Sequence, residues 1–163
     1  SLKAKSTFPI IIVDDKEFNA WVMPNGVINF TTALLDKNLS AEELAFILAH
    51  EIGHYKNRDH LKSISRSIII TLTFQMIAGK NSDLSTITNS MSSMNYLSHS
   101  RKQEIEADKY AGKMMYKLYG NNNSGIKLFQ QLESMEKVPE MMFYFSTHPS
   151  NKHRIKVLQK QKY

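Results

Sequence analysis

Residues Ser40–Asn57 read "SAEELAFILAHEIGHYKN". Ser40 followed three positions later by Glu43 is the capping-box signature of a helix N-terminus. On a helical projection Leu44, Leu48, Ile52 and Tyr55 fall on one apolar stripe, expected to face the core. Glu43, Ile47, His50 and His54 fall on a neighbouring face. His50 and His54, four residues apart, stand one above the other. From that face both rings reach one tetrahedral ion at ~2.0–2.1 Å, and a merely structural helix has no need of two histidines so placed. Glu51 lies ~100° further round the axis, beside such an ion and not on it. There a carboxylate takes a proton from an attacking water and hands it to a leaving amine.

Two imidazoles do not complete a site, so a further ligand has to come from another helix. "EIEAD" places Glu104 and Asp108 four residues apart on one face. Glu104 completes a two-histidine, one-glutamate set that leaves a fourth corner for water, as catalytic zinc requires. Asp108, one turn on, is placed to accept a hydrogen bond from the free ring N–H of a ligand histidine. On its own such a carboxylate pair is more often a solvated, lysine-paired face; the histidine helix gives it a partner. His60, His99 and His153 remain as spare ligands, with His60 read as a surface residue.

The totals narrow the chemistry. The 163 residues fit one domain, 1–163, with 42% hydrophobic and 22% charged residues, ordinary for a globular protein. The chain has no cysteine, which excludes disulfides, thiolate ligands and a cysteine nucleophile. The net charge of +6 gathers partly in "NKHRIKVLQKQKY", read as a solvated helix face before a nucleic-acid or lipid contact. The chain starts at Ser1 and not at Met, so the native N-terminus is expected to be missing, which leaves room for a signal or membrane anchor ahead of it.

Around the histidine helix the expected class is α+β, mostly helical with a small N-terminal β-sheet or hairpin. "FPIIIVDD" reads as a strand, and "NAWVM" and "VINFT" flank the turn signal "PNG". Thr31 or Thr32 caps a short helix through "ALLDKN", and Asp59 is expected to cap the next long helix. "SIIITLTFQMIAG", Ser67 to Gly79, falls short of the ~18 residues of a membrane span and is expected to be a buried helix, in preference to a membrane-dipping segment. Leu84, Ile87, Met91 and Met94 mark a weak amphipathic helix. "RKQEIEADKYAGKMMYKLYG" is a strong helix stopped by Gly120. "GIKLFQQLESMEKV" precedes Pro139, and a last helix starts near Ser150.

Four stretches, in order, carry a resemblance. "NAWVMPNG", "HEIGH", "EIEAD" and "STHPSNKHRI" span Asn19 to Ile155 and resemble the HtpX-like zinc metallopeptidases, relatives of the CAAX prenyl proteases and minigluzincins. The resemblance implies a zincin-like (gluzincin) fold with the hairpin over the zinc helix, and one Zn2+ on His50, His54 and Glu104. It implies Glu51 as general base and Asp108 behind a ligand. His148 and Arg154 are implied near the cleft, with His148 steadying an oxyanion and Arg154 bracing its loop or a substrate carbonyl. The edge within Trp21 to Phe30 is expected either to pair with extended peptide or to sit in the core with Trp21 packed inward. Two positions depart from the family: Asn25 stands where a glycine is usual, and Ser67–Gly79 is too short and polar for the spans of membrane-resident members.

The expected function is therefore a zinc endopeptidase for extended or unfolded polypeptide, in the cell envelope, periplasmic or membrane-associated. Two alternatives stand beside it. One is a zinc-bearing, chaperone-like module with little turnover. The other is a DNA-associated metalloprotease, which the carboxylate helix argues against, so nucleic acid is not the expected partner. The basic C-terminal helix is a candidate for masking the cleft.

Overall fold

The computed structural model describes residues 7–78, 98–149 and 152–161. Three strands, β1 (Ile10–Val13), β2 (Ala20–Val22) and β3 (Ile28–Thr31), precede the helices α1 (Thr32–Leu35), α2 (Ala41–Lys56), α3 (Asp59–Ala78), α4 (Arg101–Tyr119) and α5 (Asn123–Ser134). A 3-10 turn, Pro139–Met141, leads into α6 (Met142–Thr147), and α7 (Lys152–Lys160) follows. The chain is thus mostly helical with one small sheet. The amphipathic helix expected around residues 84–94 lies outside the described residues.

The sheet order is β1-β3-β2, with β1 parallel and β2 antiparallel to β3. The expected hairpin is therefore β2–β3, closed by Met23 N–H to Val27 O at 2.7 Å and Gly26 N–H to Met23 O at 2.9 Å. Gly26 takes φ +85°, a left-handed conformation that costs glycine little. Asn25 contributes through its side chain, accepting from Val27 N–H at 3.1 Å. Because β3 is the central strand, the free edge expected within Trp21 to Phe30 narrows to the three residues of β2.

Thr31 is the cap of α1, accepting from Leu34 N–H. Ser40 and Glu43 form the complete capping box of α2. Helix α4 starts at a second box, Ser100 with Gln103, and ends at Gly120 in the left-handed region. The apolar core joins the sheet (Phe18, Ile28, Phe30) to α2 (Phe46), α4 (Met115), α5 (Leu128) and α7 (Leu158).

The stripe Leu44, Leu48, Ile52 and Tyr55 packs against the core as expected but stays half-buried, whereas Glu43, Ile47, His50, Glu51 and His54 are buried. The polar face of α2 is thus the deep one, because its polar groups find partners there. His50 and His54 meet Glu104 and Asp108 of α4, Glu43 meets Ser40 N–H and Lys127, and Glu51 faces His148. Two expectations are corrected. Helix α3 is not buried: Ile68, Ile69, Leu72 and Met76 are exposed. Asp59 is the first residue of α3 and not its cap; its carboxylate is turned to His54. The short helix α6 was not expected, since its methionine- and aromatic-rich sequence lacks a clear helical period.

Candidate metal centre

Helices α2 and α4 meet backbone to backbone. A Cβ on Gly53 would stand 3.0 Å from Ala107 Cα and 3.2 Å from Ala107 O, so glycine there lets the helices close. Gly53 adjoins His54, and Ala107 adjoins Asp108. The approach carries the histidine face of α2 onto the carboxylate face of α4.

The ligating atoms converge. His50 Nε2 and His54 Nε2 are 3.0 Å apart. Glu104 Oε1 lies 3.2 Å from His54 Nε2, and Glu104 Oε2 lies 3.5 Å from His50 Nε2. Ligands bound to zinc at ~2.0–2.1 Å in a tetrahedron are separated by ~3.3–3.4 Å, so these distances fit the edges of a zinc polyhedron. His148 adds a fourth candidate atom, and one atom from each of His50, His54, Glu104 and His148 falls within 4.8 Å of the others.

The far side of each imidazole tells the same story. His50 Nδ1 is 2.9 Å from Asp108 Oδ1, and His54 Nδ1 is 3.0 Å from Asp59 Oδ2. With Nδ1–H turned to a carboxylate, each Nε2 presents a bare lone pair. Two lone pairs aimed at each other at 3.0 Å repel unless a cation or a proton lies between them. Asp59 has thus joined the site unforeseen. The available signal was a carboxylate five residues past His54, across a two-residue break in the helix; an aspartate there reads first as a cap.

Charge accounting points to a cation as well. Glu51, Asp59, Glu104 and Asp108 are all buried, and the buried guanidinium is that of Arg154. Arg154 Nε and Nη2 donate to the two Asp108 oxygens at 2.7 and 2.8 Å, and Nη1 lies 2.7 Å from Glu104 Oε2. It also lies over the Phe129 ring and reaches Pro149 O at 3.5 Å. Arg154 therefore touches the carboxylates and the start of the loop, and does not line the cleft. Burial alone would raise the Glu104 carboxyl, yet the charge of Arg154 and the contact with His148 hold it well below the usual range. Burial likewise opposes charge on His54, but Asp59 and Glu104 outweigh it and raise this imidazole to about 10 in the metal-free chain. A proton and a divalent ion compete for the same electron pair.

The cleft beside the centre is lined by β2 residues Ala20 to Val22 and by Glu51, His54, His60, His99 and His148. His148 Nδ1 is 3.2 Å from Glu104 Oε1 and its Nε2 is 3.7 Å from Glu51 Oε1, which sets it between the two glutamates. Neither His60 nor His99 joins the ligand group. His60 is half-buried and lines the cleft, so it is not a plain surface residue. His99 stacks on His54, ring centroids 3.8 Å apart at 11°, and burial pushes its pKa down to about 2. His153 is exposed. Helix α7 packs on the core through Leu158, and no α7 residue lines the cleft; the masking role expected of it finds no support among the described residues.

Comparison with known families agrees with this geometry: the model of peptidase family M48 matches residues 1–162. The chain belongs to peptidase family M48. M48 peptidases use zinc. Among relatives of this M48 chain, human mitochondrial metalloendopeptidase OMA1 is 27% identical, across 93% of this chain and 32% of its own length. The Arabidopsis thaliana mitochondrial metalloendopeptidase OMA1 is 29% identical over 93% of this chain and 31% of its own. Metalloprotease YcaL of Escherichia coli is 24% identical over 85% of this chain and 56% of its own. The chain thus spans about a third of the length of the OMA1 relatives.

Proposed function

We propose that this M48 chain is a zinc-dependent metalloendopeptidase acting on extended or unfolded polypeptide, built as one zincin-like catalytic unit. The observation that carries the reading is the convergence of two bare imidazole Nε2 atoms and a buried glutamate at tetrahedral-edge spacing. His50, His54 and Glu104 would hold the ion, and bound zinc acidifies water and polarises the scissile carbonyl. Asp108 and Asp59 fix the tautomers of the two histidines. Arg154 positions Glu104 and Asp108.

Glu51 is the general base. It stands one residue from a ligand histidine, at the cleft wall, and would take the proton of the attacking water and return it to the leaving amine. His148 faces the same region, where a donor N–H would steady the negative charge on the substrate oxygen, a contribution usually worth ~10²–10³ in rate. The β2 edge beside Trp21 would align the substrate by main-chain hydrogen bonds, a mode tolerant of sequence. The mitochondrial and bacterial relatives are compatible with a membrane or envelope setting, and among the described residues no helix is long and apolar enough to cross a membrane.

A second reading of His148 is favoured by its place in the ligand group: occupying the fourth corner, it would exclude water and hold the enzyme latent. Three measurements test the proposal. Elemental analysis should find one zinc per chain, lost in Glu104→Ala. Glu51→Gln should keep the zinc and abolish cleavage of unfolded casein. A zinc-loaded wild type that cleaves nothing would return the chain to the binding-module reading.

A further inference from the structure

Helix α3 leaves the metal centre at Asp59 and carries an apolar face outward. Leu61, Ile68, Ile69, Leu72 and Met76 are between 45% and 86% exposed. At 100° per residue they fall on one stripe about a quarter of the circumference wide. Ile68, Ile69, Leu72 and Met76 adjoin one another at three- and four-residue spacing, with Leu61 set off from them across the exposed Ser65. Scattered exposed apolar side chains need no explanation, but a row of this kind marks an interaction surface. Thr73, beside the stripe, turns its hydroxyl back onto Ile69 O at 2.8 Å, so this polar group is satisfied within the helix.

The flank of the stripe states what it meets. Arg58, Lys62 and Arg66 follow one another at four-residue spacing and line an open groove with Leu61 and Ile69. No acidic side chain lines that groove among the described residues. Nearby acids are otherwise engaged: Asp59 is buried against His54, with Lys62 Nζ 3.0 Å from its other oxygen, and Glu106 pairs with Lys109 at 2.8 Å. An apolar stripe bordered along one side by cations is the pattern of a helix lying in the plane of a bilayer, its cations at the level of anionic headgroups.

We propose that α3 docks this chain on an anionic lipid surface, with Leu61, Ile68, Ile69, Leu72 and Met76 entering the headgroup boundary and Arg58 and Arg66 contacting lipid phosphates. His60 lines the cleft and Leu61 lines the groove, so both surfaces start from the first turn of α3. On the proposed function, docking brings the cleft to the membrane, where polypeptide emerging at the surface meets it. The binding claim itself does not depend on peptidase activity.

The test is sedimentation of the zinc-loaded chain with vesicles of phosphatidylcholine alone or mixed with phosphatidylglycerol. Wild type is expected to pellet with the mixed vesicles and to be released by salt. Arg58→Ser with Arg66→Ser should weaken partitioning ~10–30-fold, and Ile69→Glu with Leu72→Glu should abolish it. Both variants should retain wild-type circular dichroism and cleavage of soluble casein. The proposal is overturned if wild type stays in the supernatant with the mixed vesicles, or if the glutamate variant pellets as wild type does. It also fails if the stripe joins copies of the chain, seen as an oligomer that the glutamate variant splits while wild type ignores lipid.

Discussion

Arg154→Met probes the electrostatics of the centre from a position outside the ligand set. The guanidinium makes a two-pronged contact with Asp108 and a third with Glu104, and both carboxylates are fully buried. Methionine keeps most of the side-chain volume beside Phe129, so the cavity left is small and the loss is chiefly that of charge. Removing one partner of a buried ion pair costs about 3–5 kcal/mol, and in the metal-free chain this variant leaves two buried carboxylates with histidine partners alone. Zinc restores a counter-charge to Glu104, and His50 still faces Asp108, so about half of that penalty should return on metal loading. Urea unfolding in EDTA and in saturating zinc measures the difference directly. The expected loss is at least about 3 kcal/mol in EDTA and clearly less with zinc. A loss under about 1 kcal/mol in EDTA, or one identical in both conditions, would refute this account of the site. Arg154→Lys should recover part of the stability, since one ammonium replaces one prong and not the fork.

Other variants separate the remaining roles. Asp59→Asn should weaken zinc binding ~10–100-fold by loosening His54, read by competition with a chelating dye; unchanged affinity would detach Asp59 from the site. His148→Phe should lower the rate of casein cleavage ~100-fold or more at full zinc occupancy, whereas a rise in activity would mark His148 as the latent ligand. Gly53→Ala, whose methyl meets the Ala107 backbone, should cost about 1–3 kcal/mol and depress zinc affinity, and a neutral melting temperature would contradict the close approach. For pH, Asp59 and Glu104 overcome burial to hold metal-free His54 at about 10, against ~6.5 unfolded. That raised value stabilises fully below ~6.5 and is lost as pH climbs through about 10. The melting temperature in EDTA should therefore fall across this window while the zinc-loaded protein stays flatter, and parallel slopes would argue against it.

The convergence of the candidate site was legible because it is written in helical spacing: His50 and His54 on one face, Glu104 and Asp108 on another. The caps at Ser40 and Thr31 were legible for the same local reason, as was the hairpin around "PNG". What escaped was burial decided by pairing. Hydropathy put Leu44, Leu48, Ile52 and Tyr55 against the core, where they pack half-buried, but did not mark Glu43 and Glu51 as deep. With Ser40 N–H and Lys127 around Glu43 and His148 beside Glu51, these acids sit further in. Arg154 lies 46 positions from Asp108, a partnership no local pattern encodes. The apolar composition of α3 was read as a core signal, but composition does not say whether a stripe meets protein or something outside it.

The contact between Gly53 and Ala107 has a mechanical consequence. With main chain resting on main chain, α2 and α4 have little compliant side-chain material at that point to take up slack. The separation of the two backbones that carry His50, His54, Glu104 and Asp108 is set there by the diameter of two peptide rods. On the proposed function, an ion of different radius would have to be accommodated by rotation of the side chains, since the rods themselves can come no closer.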